Sequence, residues 1–278
     1  MEQDGEAYSV NITSQCRKRT NLTAMQIEHL KRIEISLPFV ADLAHAYLYL
    51  YVQTKEPGKM LVLKHYRPHT FFSEVELTGE GAFVSTLEEP LIAAAFAKGK
   101  FIQGQREWRF GINLEMYVQP IKCGNDVIGV VSLETGHSYA NSSNYHQLMD
   151  TALYLLDYAK KPLDKDEFHP MSPGTGIIIA DSNNRIVFAN LSANRIYRAL
   201  GIASLVGCRM QDRELSAMLH KETIDSSRPY EREIQIRDFV LVQRDIKLEE
   251  AGMLKRRIML LSDVSELRKK EREIKIKS

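Results

Sequence analysis

The clearest fold signal in this 278-residue sequence is EMYVQPIKCGNDVIGVVSL, residues 115–133. Apolar and polar residues alternate on both sides of Cys123-Gly124-Asn125. Two such runs around a Gly-Asn pair predict a tight antiparallel hairpin. A second hairpin is predicted for the apolar runs 47–53 and 59–66, which are joined by Pro57-Gly58. We therefore expect an antiparallel sheet.

Helical patterns surround these strands. Asn21 is a predicted helix N-cap, and the apolar residues that follow recur at helical spacing. Residues 87–98 favour a second helix, which Gly99 ends, and residues 144–159 favour a third. Helices packed on an antiparallel sheet define an α+β domain.

A linker is predicted at residues 162–174, where charged residues are followed by Pro170-Met171-Ser172-Pro173-Gly174. Residues 175–263 then repeat the α+β pattern, with a hairpin, a short helix and three closing strands. The expected fold class is α+β, with two domains that each hold an antiparallel sheet and flanking helices. The first domain is predicted at residues 21–161, after a disordered tail at residues 1–20.

The composition excludes several classes of protein. Lys and Arg number 37 and Asp and Glu 36, so the net charge of +1 argues against nucleic-acid binding. No apolar run reaches the roughly 18 residues of a membrane span. Cys16, Cys123 and Cys208 are too far apart and too few for a disulfide framework or a zinc site. We expect a cytoplasmic protein.

Enzymatic motifs are missing from the sequence. None of the eight histidines stands in an H-E-x-x-H pattern, and there is no G-x-S-x-G elbow. His146 lies in a predicted helix without the context of a phosphoacceptor, and no nucleotide-binding box is present. We expect that this chain is not an enzyme and holds no metal.

The second domain resembles a PAS domain. The residues that carry the resemblance are the hairpin 177–190, Asn190-Leu191-Ser192-Ala193-Asn194 and Leu205-Val206-Gly207. Leu261-Ser262-Asp263-Val264-Ser265 is similar to the Asp-x-Thr exit at which PAS domains pass into a signalling helix, with Ser265 in place of Thr.

The first domain resembles the GAF-type sensor that precedes a PAS domain in soluble histidine kinases of the HWE-like branch. The residues concerned are EWRFG at 107–111, YVQPI at 117–121 and VIGV at 127–130. The resemblance implies the input region of a two-component system, with a C-terminal kinase domain that this sequence does not contain. It also implies a response regulator as downstream partner.

Candidate ligand residues follow from these resemblances. In the first domain, Trp108 and Arg109 of a polar loop, with Tyr49 and Tyr117, are the candidate residues of a pocket wall. For the tyrosines, the alternative is a place in the sheet surface or the core. The alternative is that Trp108 fills the core and Arg109 bonds a carboxylate.

In the second domain, Cys208 stands in a sequence distantly similar to the loop that binds flavin in light-sensing PAS domains. His220 lies where haem-binding PAS domains supply a ligand. We expect ordinary packing for Cys208, solvation for His220 and no cofactor, hence a colourless protein.

Residues 264–278 predict a signalling helix, for which Asp263 is the expected cap in a capping-box-like start with Glu266. Asp263, Ser265 and Leu267 are the predicted relay residues. Val264, Leu267 and Ile274 approximate the apolar seam of a parallel coiled coil and favour a homodimer. The alternative is a monomeric helix that folds back on its own sheet.

Two functions fit the sequence. The first is a sensory region that binds a small molecule and relays the signal to a kinase. The second is a ligand-free scaffold that mediates protein contacts and dimerisation. A ligand retained through purification would separate the two.

Overall fold

A computed structural model describes residues 11–70, 77–109, 111–136, 144–158, 164–210, 212 and 231–277. Two compact units divide the chain, one within 1–142 and 152–163, the other within 143–151 and 164–278. In the described ranges, no helix combines the length and the apolar character that a membrane crossing needs.

The first unit begins with three helices, α1 at Ile12–Arg19, α2 at Ala24–Glu34 and α3 at Leu37–Ala44. The prediction of a disordered tail at residues 1–20 is wrong for α1. Ile12 and Cys16 are buried on one face of this helix, and the polar residues around them cover its other faces. Residues 1–10 of the predicted tail lie outside the described ranges.

Helix α2 begins at a capping box rather than at Asn21. Thr23 Oγ1 accepts a hydrogen bond from Gln26 N, and Gln26 Oε1 accepts one from Thr23 N. This reciprocal pair satisfies two amide groups of the first turn, which is why the helix starts two residues later than predicted.

Six strands form the first sheet: β1 Tyr47–Gln53, β2 Lys59–Tyr66, β3 Phe83–Ser85, β4 Ile102–Arg109, β5 Ile112–Cys123 and β6 Asp126–Gly136. All neighbours are antiparallel, in the order β3-β2-β1-β6-β5-β4. Both predicted hairpins are confirmed. The predicted loop around Trp108 is wrong, because residues 102–109 pair with β5 as the edge strand β4.

Two further helices belong to this part of the chain, α4 at Pro90–Lys98 and α5 at Tyr145–Tyr158. Helix α4 packs on one face of the sheet through Ile92, Ala95 and Phe96. Facing it are alternate residues of the central strands: Tyr47, Tyr49, Tyr51, Met60, Val62, Met116, Val118 and Val130. Side chains along a strand alternate between the two faces of the sheet, so only every second residue of a strand can lie beneath α4.

The second unit holds β7 Gly176–Ala180, β8 Ile186–Ala189, α6 Leu191–Ala199, β9 Glu231–Ile236, β10 Phe239–Glu250, β11 Met253–Asp263 and α7 Ser265–Lys277. Its sheet is antiparallel, with the order β8-β7-β11-β10-β9. The predicted hairpin and the three closing strands are confirmed.

Helix α6 covers one face of this sheet and forms its core. Ile196 and Tyr197 pack there in one cluster with Ile178, Met259 and Leu261.

The start of α6 is bonded to β7. Asn190 Oδ1 accepts from Ala193 N and from Ile177 N, each at 2.9 Å, and Asn190 Nδ2 donates to Thr175 O at 2.9 Å. Gly176 permits the close approach, because a Cβ there would lie 3.1 Å from the backbone of Ala193.

Candidate functional site

Two of the four ligand residues predicted for the first unit, Tyr49 and Tyr117, lie on opposite faces of the sheet. Tyr49 pairs with Ser132 of β6 and lies beneath α4, whereas Tyr117 pairs with Leu133, the next residue along that strand. Consecutive strand residues point to opposite faces, so Tyr117 lies on the side of the sheet away from Tyr49. Tyr49 and Tyr117 therefore do not line one pocket together, and the contact of either residue with a ligand stays a prediction.

Trp108 and Arg109 are the last two residues of β4, at the edge of the sheet. The structure describes their backbone but not their side chains, so their contact with a ligand stays a prediction.

In the second unit, Cys208 is half-buried and packs against the core beneath α6, with Sγ 3.4 Å from Ser204 O. This contact is consistent with the expected packing role. His220 lies outside the described residues, and both remain predictions as ligand residues.

The most distinctive polar feature of the first unit is a charge cluster that the sequence analysis missed. It consists of Glu89, which precedes α4, Arg106 of β4 and Glu134 of β6. Arg106 Nη1 donates to Glu89 Oε1, and Arg106 Nη2 donates to Glu134 Oε2 at 2.5 Å. Ser132 Oγ donates to the second oxygen of Glu134 at 3.1 Å. One guanidinium thus connects three elements.

The pairing of the strands and the alternation of their side chains place this cluster beneath α4. Glu134 pairs with Tyr47 and Met116, and Arg106 pairs with Leu114, so both share the face that carries the tyrosines. The Tyr49 and Tyr51 ring centroids lie 5.9 Å apart on the same face. Aromatic rings next to charged groups are the kind of lining that small-molecule sites have.

The cluster carries more negative than positive charge. Among the described residues, Arg106 is the only cation that pairs with Glu89 or Glu134. The Glu134 side chain is 1% exposed, and this burial raises the pKa of its carboxyl to about 7. Arg106 opposes the rise, and the second carboxylate, Glu89, adds to it. Burial also raises the pKa of Glu89.

The same surroundings change the pKa of Tyr49, which lies on this face. Burial raises the pKa of Tyr49 to about 12, and the negative charge of Glu134 acts in the same direction. The Tyr49 hydroxyl therefore stays protonated and can donate a hydrogen bond. Arg106 Nε is buried without a hydrogen-bond partner. The face thus holds a neutral Tyr49 hydroxyl that is bonded to the backbone of Thr78, one unused guanidinium N–H of Arg106 and an excess of carboxylate.

The exit from the second unit is the other part of the predicted site. Asp263 Oδ1 accepts from Ser265 N at 3.0 Å and from Ser265 Oγ at 2.5 Å, and Ser265 Oγ accepts from Val240 N at 2.8 Å. The structure thus brings Asp263 and Ser265 together. The predicted capping box with Glu266 is wrong, because within the described residues Asp263 bonds Ser265 instead.

A second attachment fixes the first turns of α7. Arg268 Nε and Nη2 donate to the Glu233 carboxylate of β9 at 3.0 and 2.6 Å. Leu267, predicted as a relay residue, is 54% exposed next to this ion pair. The described residues contain no cluster of three or more His, Cys, Asp or Glu that is placed to hold a metal ion.

We predict that Glu134→Gln reduces the pH dependence of the stability of the first unit. The folded-state pKa of Glu134 lies above the ordinary value of 4.5, so the folded chain holds a proton that the unfolded chain releases. This contribution is complete below pH 4.5 and is lost as the pH rises through 7. It amounts to at most about 3 kcal/mol.

Urea denaturation at pH 5.5 and pH 8 measures the effect. The natural chain should be more stable at pH 5.5 than the same chain at pH 8, and the difference should shrink in the variant. Glu107→Gln, at an exposed position of β4, is the matched control and should retain the full difference. An equal pH dependence in all three proteins would contradict the prediction.

Residues 12–152 match the family model described as histidine kinase PdtaS, GAF domain. None of the curated proteins matches the sequence.

Among solved structures, the chain is similar to a sensor region of a sensor histidine kinase, with 19% identity and a TM-score of 0.60 over 93% of this chain and 99% of that chain. It is also similar to the GAF domain of an Acinetobacter phosphoenolpyruvate-protein phosphotransferase, with 14% identity and a TM-score of 0.30 over 50% of this chain and 94% of that chain.

The first of these likenesses shows a shared α+β fold with antiparallel sheets and flanking helices. The matching family model and the matching sensor region of a histidine kinase are both sensor regions rather than catalytic domains. The family model spans half of the sequence, including α1 to α4 and all six strands of the first sheet. The chain therefore belongs to the family of the GAF domain of histidine kinase PdtaS.

Proposed function

We propose that this chain is the sensory input region of a cytoplasmic two-component histidine kinase. In this proposal the GAF unit binds a small-molecule signal, the second unit is a PAS domain, and α7 relays the signal to a C-terminal kinase domain. The observation that carries the proposal is the cluster of half-buried Glu89 and Arg106 with buried Glu134 beneath α4 of a GAF domain.

The cluster supports sensing because the free energy of burying its carboxylates depends on which group neutralises their charge. A buried carboxylate without a full counter-charge is costly, and a proton or a ligand group that interacts with it lowers this cost. Glu89 precedes α4, so a ligand that changed the Arg106 pairing would act directly on the position of that helix. A ligand shifts such an equilibrium only by its differential affinity for the two states.

The second unit supports the relay. Its hairpin, its short helix and its three closing strands are the elements that the PAS resemblance implies. Ser265 Oγ bonds β10 and Arg268 bonds β9, so any change in the spacing of these strands reaches the first turns of α7.

A homodimer formed through α7 belongs to the same proposal. Leu267 and Ile274 are 54% and 68% exposed, and they lie seven residues apart on this helix. Seven residues are two turns of a coiled coil, so both side chains fall on one seam.

The ligand proposal predicts thermal stabilisation of the chain by a metabolite. A library of nucleotides, amino acids and organic acids would be screened by thermal shift, alongside native mass spectrometry of protein purified from its own cells. A ligand at 100 times its Kd stabilises the folded state by about 2.7 kcal/mol.

Arg106→Met should weaken this response at least tenfold, whereas Arg32→Met, on the exposed side of α2, should not change it. A screen without any stabilising compound, together with the absence of retained mass, would favour the ligand-free scaffold.

The relay proposal predicts that Ser265→Ala loosens the start of α7. Loss of the Ser265 hydroxyl leaves Val240 N without its acceptor, at a cost of about 1 kcal/mol. Hydrogen exchange at Val240 and in the first turn of α7 should therefore accelerate several-fold. Ser265→Thr retains the hydroxyl and should exchange like the natural chain. Equal exchange rates in the alanine variant would refute this role.

The dimer proposal predicts that Leu267→Asp with Ile274→Asp shifts the chain from dimer to monomer in sedimentation velocity. Leu191→Asp, at an equally exposed position on α6, should leave the dimer intact. If the natural chain sediments as a monomer at about 100 µM, the dimer proposal is overturned.

A further inference from the structure

A cavity of about 350 Å³ lies in the second unit, on the face of the sheet away from α6. Leu241 and Leu261 point into the core beneath α6, whereas their strand neighbours Val242, Leu260 and Ser262 line the cavity. This side of the sheet is opposite the face that α6 covers, where the candidate ligand residue Cys208 packs. The volume falls within the range of small-molecule sites.

The outer wall of the cavity is the segment of residues 167–175, which we call the strap. Arg244 of β10 is 5% exposed, and its Nη1 donates to His169 O at 2.8 Å and to Glu167 O at 3.3 Å. These bonds hold the strap over the sheet. Phe168 and Met171 of the strap are themselves buried, so this part of the chain is packed rather than solvated.

His169 closes one end of the cavity. Its Nε2 lies 2.7 Å from Glu231 Oε1, and its Nδ1 lies 2.9 Å from Pro170 O. Both neighbours are acceptors, and a neutral imidazole has only one N–H. A neutral imidazole can therefore donate to only one of these two acceptors at a time.

The charges on the lining favour an anion. Arg244 contributes a fixed positive charge, and the one carboxylate among the lining residues, that of Glu231, is bonded by His169. Hydroxyl groups of Thr175 and Ser262 also face it. The Ser262 side chain is half-buried on the lining, so its hydroxyl can donate to a molecule in the cavity.

The remaining lining is apolar. Val242 and Leu260 form the floor, and Val264 lies at the point where β11 passes into α7. Val264 N donates to Val240 O at 2.9 Å, and this bond joins the base of α7 to β10. A molecule in the cavity would therefore contact both the strap and the first residue before the exit helix.

We propose that this cavity binds a small organic carboxylate with a compact apolar body, and that its occupancy stabilises the strap and the base of α7. The carboxylate lies between Arg244 and the Ser262 hydroxyl, which are diagonal neighbours in the sheet, and the apolar body lies against Val242, Leu260 and Val264. This inference goes beyond the proposed function, which places the signal in the GAF unit. It gives the second unit an input of its own.

Isothermal titration of the purified full chain tests the proposal, with the straight-chain acids from butanoate to octanoate and benzoate as probes. The neutral amides of the same acids are the matched ligands. At least one acid should bind, and its amide should bind at least tenfold more weakly. Failure of every acid to bind, or equal affinity for acid and amide, would overturn the proposal.

Two variants locate the site. Ser262→Leu fills the cavity and should reduce binding of the acid at least tenfold, whereas Ser262→Ala removes only the hydroxyl and should reduce it several-fold. Ser204→Leu, at an exposed serine of the same unit, should bind like the natural chain. Unchanged binding in both Ser262 variants would refute the location.

Hydrogen exchange distinguishes this site from one in the GAF unit. The acid should protect amides of residues 169–175 and of β9 to β11. A ligand beneath α4 should instead protect β1 and β6, so failure of either site leaves the other measurable. Protection of β1 and β6 alone by the acid would contradict the proposal.

Discussion

Arg106 bonds two carboxylates that belong to different parts of the first unit, and the arrangement of that unit depends on this pairing. Strand β4 is an edge strand with one neighbour in the sheet, and Glu89 stands at the start of α4. The guanidinium joins both of them to Glu134 in a central strand. One buried and one half-buried carboxylate share a single cation, so the hydrogen bonds are well formed but the negative charge is only partly neutralised. That combination lets a proton or a ligand change the pairing.

The second unit uses polar side chains in a comparable way at the ends of its helices. Asn190 attaches the start of α6 to β7, and Ser265 attaches the start of α7 to β10. Each bond satisfies a backbone amide that the strand or the helix leaves without a partner of its own. The helix positions are thus set by hydrogen bonds to the strands as well as by packing, so a change in the sheet reaches the helices directly.

The sequence predicted the hairpins, the α+β class and the exit motif, because these signals are local. Turn residues and alternation identify a hairpin within twenty residues. That Tyr117 faces away from Tyr49 depends also on the pairing of β1 with β6, which joins residues far apart in the sequence. Helix α1 was missed because only Ile12 and Cys16 of its residues are buried. The charge cluster was missed because Arg106 and Glu134 are 28 residues apart and meet only through sheet pairing.

Strand β9 has a position that unites two features described separately. This six-residue strand lies at the edge of its sheet, and Glu231 and Glu233 point to the same side of it. One carboxylate holds His169 in the segment that enters the unit, and the other holds Arg268 in the helix that leaves it. Slippage of the strand by two residues would bring one carboxylate to the place of the other and release one of the two segments. The segment that enters the unit and the helix that leaves it are therefore both attached to one edge strand, by contacts that do not involve the hydrophobic core.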